Sequence, residues 1–475
     1  MKKVTNKAIL LVIIVTLFSC QENKTIKWWS SREGKCFEEQ RNLLWRLNSD
    51  SVKNLNCEIF LDSTEQEIDG FGGCFNELGW DALQKLEEPR REKVLNALFG
   101  TNDGLKFNLC RMPIGASDYS RNYYSLNDSV DDYLMEYFSI DRDKKALIPY
   151  IKAAQKLQPD LKIWASPWTP PAWMKTNNHY ACASSKQNKL PENRQGNEGK
   201  NQIKMNDTVL LAYAKYFVKF VKSYKEQDID ISAIHVQNEF NSCQVFPSCT
   251  WTSSGLAEFI KNYLGPQFKK NHIKTAIWLG TIERSNLALV DTILGDNDAL
   301  KYIKGLGFQW AGKEIIGDAH VKYPEMRIMQ TESECGDGSN DWKAAEYTFK
   351  LMKQYLDGGA NSYMYWNMIL DKNGLSHWGW KQNSLITIDT KADRVYFNPE
   401  YYLFKHFSGF ISKGSVKVKG IGYKDVLAFV TPDDKLVIVS ANLGNKAYHL
   451  RLKVGKKYIE VKLPSKSFNT FVGNI

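Results

Sequence analysis

"ISAIHVQNEF", residues 231–240, starts as a run of apolar and β-branched residues and ends in an amide and an acid. The apolar half reads as a strand buried on both faces, as in a parallel sheet. A carboxylate at its end must be paired, protonated or at a surface, because an isolated charge is too costly to bury. Outward from this stretch the same texture recurs. "IDGFGG" (68–73), "LKFNLCRMPIG" (105–115), "LKIWASPWTPP" (161–171), "KTAIWLGTIE" (274–283), "IKGLGFQW" (303–310), "RIMQTESEC" (327–335) and "NSYMYWNMIL" (361–370) bring the candidate strands to eight.

Helical patterns separate them. In "NDTVLLAYAKYFVKFVKSYKEQ" (206–227) Leu210, Ala214, Phe217, Val218 and Val221 recur at three and four, with Asp207 as cap or first-turn acid. Further helices are expected over 80–100, 143–157, 253–268 and 341–359, the last stopping at Gly358-Gly359. Eight strands alternating with helices predict an α/β fold, a (β/α)8 TIM barrel. A doubly wound sheet is the rival, but "GFGGC" (70–74) has the wrong spacing for a dinucleotide-binding turn. Beyond about 395 the pattern becomes alternating and turn-rich, as in an antiparallel β-sandwich, and "CEIFLDSTEQEID" (57–69) shares it. The expected organisation is 1–20 signal peptide, 21–56 tether and N-terminal segment, 57–69 strand joining the sandwich, 70–395 barrel and 396–475 sandwich, so that both chain ends build the second domain.

The first twenty residues read as an address. Lys2, Lys3 and Lys7 precede an apolar run, Ala8 to Phe18, too short to span a membrane, and "LFSC" sets Cys20 in a bacterial lipoprotein cleavage box. The expectation is an exported lipoprotein, periplasm-facing or at the cell surface, held to the membrane by a lipid on Cys20 alone. The alternative is a plain secretory signal. The net charge of +10 is spread without a block of like charges, which gives a nucleic-acid partner no support. No cysteine or histidine pair has zinc spacing, so no metal is expected. Cys243 and Cys249 flank "QVFPS", and a loop-closing disulfide is plausible there.

In a barrel, chemistry gathers at the carboxyl ends of the strands. Those ends offer Arg111, Asp118, Trp168, Asn238, Glu239, Glu283, Trp310, Glu332, Glu334, Trp366 and Asn367. Glu239 closes the fourth strand and Glu332 the seventh, which face each other across the mouth of a closed barrel. One glutamate at a strand end is ordinarily a solvated rim residue. Two facing carboxylates, with indoles at neighbouring strand ends, are the minimum kit for glycoside hydrolysis. Asn238 is a candidate for a sugar hydroxyl, Arg111 for keeping an acid ionised or for a structural ion pair, and "SPWTPPAW" (166–173) for a rigid aromatic loop. Glu283 and Glu334 read as rim or supporting residues. The residues alone thus reach a carbohydrate-active barrel.

The chain also resembles glycoside hydrolase family thirty, the glucosylceramidase and endo-β-1,6-glucanase-like enzymes. The resemblance rests on "DGFGGCFNELGWDAL" (69–83), "RMPIGASDYS" (111–120), "ASPWTPPAWMKTN" (165–177), Asn238-Glu239, "TESEC" (331–335), "YWNMIL" (365–370) and "HFSGFISKGS" (406–415). It implies a retaining double displacement with Glu239 as general acid/base, Glu332 as nucleophile and no cofactor. It further implies that Asp118, Trp168, Asn238 and Trp366 contact the sugar and that Arg111 lies near the nucleophile; Trp310 also matches. Phe240 stands where the family often has proline. Gln309 and Ala311 stand where glucosylceramidases carry histidine and tyrosine, so the nucleophile's support must come from elsewhere. The expected substrate is β-1,6-glucan or a related β-glucoside, with glucosylceramidase-like hydrolysis beside it. The alternatives are an exo-acting β-xylosidase or β-fucosidase and a polysaccharide-binding lipoprotein without catalysis.

Overall fold

The computed structural model describes residues 25–47, 49 and 54–475. The expected signal peptide, Cys20 with it, lies outside the described residues, as do parts of 21–56. Among the described residues no helix is long and apolar enough to cross a membrane. The chain forms two units, Gly70–Tyr401 and a second that joins the stretch up to Asp69 to Tyr402–Ile475.

The first unit is a closed barrel of eight parallel strands: Gly70–Cys74, Leu109–Pro113, Lys162–Ser166, Ile231–His235, Ala276–Ile282, Ile303–Gln309, Arg327–Glu332 and Ser362–Asn367. All eight expected strands are present, each within the stretch read for it or one residue past its end. The barrel closes where the eighth strand pairs with the first, Ser362 opposite Gly70 and Tyr363 opposite Phe71. A Cβ on Gly72 would lie 1.7 Å from the carbonyl oxygen of Leu109, so glycine is what lets the first two strands approach. Leu109, Trp164, Ala233, Trp278, Met329 and Met364 pack into one buried cluster drawn from six of the strands. That cluster fills the barrel centre and makes it a packed core.

The helices follow their caps. The longest runs Asp207–Lys225. Asn206 is its cap, with the side chain accepting from the Val209 amide at 3.0 Å, and Asp207 is the first-turn acid. The single helix expected over 80–100 is two, Glu77–Gln84 and Glu88–Phe99. Pro89 lies in the first turn of the second, where its missing amide hydrogen does no harm. The 253–268 stretch is likewise interrupted, by a π-helical turn at Ile260–Leu264 between Ser253–Phe259 and Gly265–Lys270.

The second unit is an 11-stranded sheet to which both chain ends contribute. Cys57–Glu67 lies between Val416–Gly422 and Tyr448–Val454. Ile26, Ile438 and Phe471 from one part of the sheet share a core with Ile59, Leu452 and Ile459 from another, so the sheet folds over itself as a sandwich. Along Lys457–Leu463, Ile459, Val461 and Leu463 are buried while Glu460 and Lys462 are exposed, the alternation of a sheet with one wet face. Two details differ from the sequence reading. Thr25–Arg32 is a strand rather than a tether, paired with Ser467–Asn474. Its adjacent tryptophans have partners: Trp28 Nε1 donates to Asn469 Oδ1 at 3.1 Å, and Trp29 packs on Phe410. The unit boundary falls after Tyr401, because Arg394–Phe397 pairs with Ile386–Asp389 in a small sheet of the barrel unit.

The described cysteines are all free thiols. The Cys243–Cys249 bridge that the sequence left open does not form. The Cys243 thiol donates instead to the Gly196 carbonyl, and Cys249 is buried beside the Thr250 carbonyl.

Candidate active site

Glu332 is the last residue of the seventh strand. Glu239 lies four residues past the end of the fourth strand at His235, so it belongs to the loop and not to the strand as read. Its φ of 49° turns the chain sharply at the mouth. Both side chains are buried and face one pocket of about 610 Å³, lined also by Asp118, Trp168, Asn238 and Trp310.

One amide ties the two acids together. Gln309 Nε2 donates to Glu239 Oε1 at 3.0 Å and reaches Glu332 Oε2 at 3.4 Å. Those two lengths placed end to end cap the separation of these two oxygens, so one small amide spans from acid to acid. Thr331 Oγ1 donates to Gln309 Oε1 at 2.8 Å, which orients the amide with its nitrogen toward the acids.

The environments of the two carboxyls differ. Arg111, fully buried, donates from Nη1 to Glu332 Oε2 at 2.6 Å. Its guanidinium lies over Trp164, Trp168 and Trp366, 4.3–5.4 Å from the ring centroids, which fixes the fork. Burial pushes both carboxyls above the ordinary glutamate range. For Glu332 the Arg111 charge and hydrogen bond oppose that push, with the Trp310 indole and Gln309 adding to them. For Glu239 the charges of Glu332, Glu283 and Asp118 add to it, with the Gln309 hydrogen bond opposing. The pair therefore splits, with Glu332 ionising first and Glu239 keeping the shared proton.

The other predicted residues surround this pair. Asn238 Oδ1 accepts from Arg111 at 2.6 Å, Thr281 at 3.0 Å and Gln309 at 3.2 Å, which leaves its amide hydrogens to face the pocket. Asp118 Oδ2 accepts from Trp366 Nε1 at 3.2 Å, while its buried Oδ1 has no protein partner. Trp168 and Trp366 pack together at 5.1 Å. Arg111 and Trp366 are buried behind the pocket wall rather than lining it. A wall of indoles with an unfilled carboxylate acceptor and two amide hydrogens suits a hydroxylated ring.

Residues 68–411 match the glycosyl hydrolase family 30 TIM-barrel domain, and residues 414–471 match the family's beta sandwich domain. The chain belongs to glycosyl hydrolase family 30. Curated relatives span both named activities. The lysosomal acid glucosylceramidase of Mus musculus is 25% identical over 86% of this chain and 81% of that protein. An endo-1,6-beta-D-glucanase of Neurospora crassa is 26% identical over 86% of this chain and 84% of that protein. Among solved structures, SrfJ from Salmonella typhimurium aligns with a TM-score of 0.85 at 24% identity, over 95% of this chain and 100% of that one. An endo-β-1,6-glucanase structure aligns at 0.79 and 22% identity with the same coverage. At these identities the structural likeness is one of fold. A family 30 chain is a glycosidase, with the barrel and sandwich found here.

Residues that the sequence reading passed over complete this family 30 site. Gln309, noted only as a departure, is the link between the acids. Glu283, read as a rim or supporting residue, lines the pocket and is fully buried. Phe246 and Trp380 also line it, 5.1 Å apart, from the loops after the fourth and eighth strands. The aromatic run "HWGW" (377–380) was the available signal for the last of these.

Proposed function

We propose that this glycosidase hydrolyses β-1,6-glucan or a closely related β-glucoside by retaining double displacement. The observation that carries the assignment is the asymmetry of the acids: Arg111 donates to Glu332, and among the described residues no cation pairs with Glu239. Glu332 attacks the anomeric carbon as a carboxylate, and the bond to the leaving oxygen breaks. Glu239 gives its proton to that oxygen. A water then adds to the anomeric carbon, its proton returns to Glu239, and the Glu332 ester is released. Asp118 Oδ1 and the Asn238 amide take ring hydroxyls while Trp168 covers the sugar.

The linkage is favoured by the fungal relatives named endo-1,6-beta-D-glucanases and by Gln309 and Ala311, which stand where the glucosylceramidase pattern has histidine and tyrosine. The test is chromatography and mass spectrometry of products from β-1,6-glucan, β-1,3-glucan, xylan and aryl β-glucosides. Oligosaccharides from β-1,6-glucan alone support the reading. Xylo-oligosaccharides, or monosaccharide from aryl glycosides with every polymer intact, overturn it.

We also infer export and lipid attachment at Cys20, on the strength of "LFSC" alone. Cys20→Ala should move the protein from the membrane fraction to the soluble one. An unchanged fractionation rules the anchor out.

A further inference from the structure

The line from the fourth strand to the seventh divides the barrel mouth. On one side, strands eight, one, two and three carry Trp366 behind the wall and Asp118 and Trp168 in it, the last two suited to the sugar that is attacked. On the other side stand only strands five and six, with Glu283, Arg284, Trp310, Ala311 and Lys313 at their ends. A leaving group that departs past Glu239 from a sugar held on the first side extends toward the second.

That second side holds an unused acceptor. Glu283 is 1% exposed and lines the pocket. Its Oε1 accepts from the Asn241 amide at 3.0 Å and Ser242 Oγ at 3.3 Å, both on the loop that follows Glu239. Its Oε2 is buried and has no partner. A buried carboxylate oxygen left without a donor is expensive unless a ligand supplies one. Beside it Trp310 exposes an indole at 37%, an apolar face for a ring. The rim cations are already committed: Arg284 pairs with Glu198 at 2.5 Å and Lys313 with Glu334 at 2.8 Å. The lining shared with Trp310 is mixed, with Gln244, Arg284 and Lys313 beside Phe246 and Trp380.

We propose that Glu283 and Trp310 form the acceptor subsite, where Glu283 Oε2 takes a hydroxyl hydrogen of a saccharide leaving group and Trp310 carries its ring. The inference rests on the β-glucosidase reading above and names the leaving group as a sugar rather than a lipid. Glu283 selects what leaves and what may replace water; Glu332 and Glu239 do the chemistry.

The experiment compares kcat/KM for a β-1,6-linked gluco-oligosaccharide with that for an aryl β-glucoside, whose leaving group has no hydroxyl to offer. In Glu283→Ala the oligosaccharide-to-aryl ratio should fall about 10- to 100-fold, the range for one lost hydrogen bond to a charged group. Glu283→Gln, which keeps an acceptor oxygen, should fall less. An equal loss on both substrates overturns the subsite and leaves Glu283 acting only through the charge of Glu239. A second arm uses the unaltered enzyme with the aryl donor and competing acceptors. The acceptor oxygen attacks the anomeric carbon, the ester bond to Glu332 breaks, and the acceptor's proton goes to Glu239. Transfer to glucose or gentiobiose should exceed transfer to a long-chain alcohol at equal concentration by tenfold or more; equal transfer overturns the proposal. Hydrolysis of aryl β-glucosides without cleavage of the oligosaccharide would overturn the β-1,6-glucan reading alone, because the acceptor arm still decides the subsite. Inactivity on both substrates overturns both.

Discussion

Gln309 Nε2 donates to Glu239 Oε1 across 3.0 Å, from the end of the sixth strand to the loop after the fourth. The same nitrogen reaches the other acid, so one neutral amide stabilises the charged form of each carboxyl. Replacing it with leucine removes a donor from both. Both carboxyls should then titrate higher, and both limbs of the pH–rate profile should move up. Turnover should fall roughly 10- to 100-fold, between a lost ordinary hydrogen bond and a lost transition-state donor. A pH profile unchanged in Gln309→Leu would falsify this role.

Glu239→Ala separates the two chemical steps. A dinitrophenyl β-glucoside has a leaving group that needs no proton, so the Glu332 ester should form quickly and then persist. The expected record is a burst of phenolate, a glycosyl-enzyme visible by intact mass, and a steady rate reduced about 10²- to 10⁴-fold. Azide should restore turnover by attacking without a general base. Glu332→Gln should show no burst at all. A burst in that variant would place the nucleophile elsewhere.

Arg111 holds Glu332 below the value that burial alone would set. In Arg111→Leu the Glu332 carboxyl loses that opposition and its pKa rises. Below its pKa the nucleophile is protonated and inactive, so the acidic limb should shift to higher pH. The alkaline limb, which reports the proton on Glu239, should move less. Breaking a buried pair by removing one member should also cost about 3–5 kcal/mol of stability. Urea unfolding and the pH–rate profile check the two parts independently.

Asp143 gives a stability prediction away from the site. It is buried, accepts from Tyr124 and Tyr224 hydroxyls at 3.0 and 2.7 Å, and burial raises it from 3.8 to about 7. A carboxyl raised in the folded state keeps its proton where the unfolded chain has lost it. The stability this contributes is complete below about pH 4 and is lost as pH rises to about 7. A carboxamide cannot ionise, so Asp143→Asn should gain on the unaltered protein between pH 5 and 8. The expected gain is roughly 2–3 kcal/mol, at about 1.4 kcal/mol per pH unit. Denaturant unfolding at the two pH values measures it, and a constant difference between the proteins sinks it.

The barrel was legible because its strands are buried on both faces and therefore written as continuous apolar runs, from "LKFNLCRMPIG" to "NSYMYWNMIL". The two acids were legible for a related reason: an acid at the end of such a run has few places to go. What the sequence hid was set by tertiary contact. Gln309 looks like a lost residue until the fold brings it between Glu239 and Glu332. Glu283 is indistinguishable from Glu334 as a strand-end acid, yet one is sealed in the pocket and the other pairs with Lys313. Trp28 and Trp29 had no counterpart to read, because Trp28 finds Asn469 and Phe471 on the last strand of the chain.

That last pairing has a cost in time. Ile26 lies opposite Gly473, so one of the first described residues to be synthesised meets its partner only when the chain is almost complete. At roughly 5–20 residues per second, the interval is tens of seconds. Throughout it Thr25–Arg32 can pair with Lys35–Glu39 and Leu43–Leu44, while the edge that Ser467–Asn474 covers stays open. Shielding that edge is a task for whatever accompanies the nascent chain, and a truncated product that stops before Ser467 would carry the open edge for good.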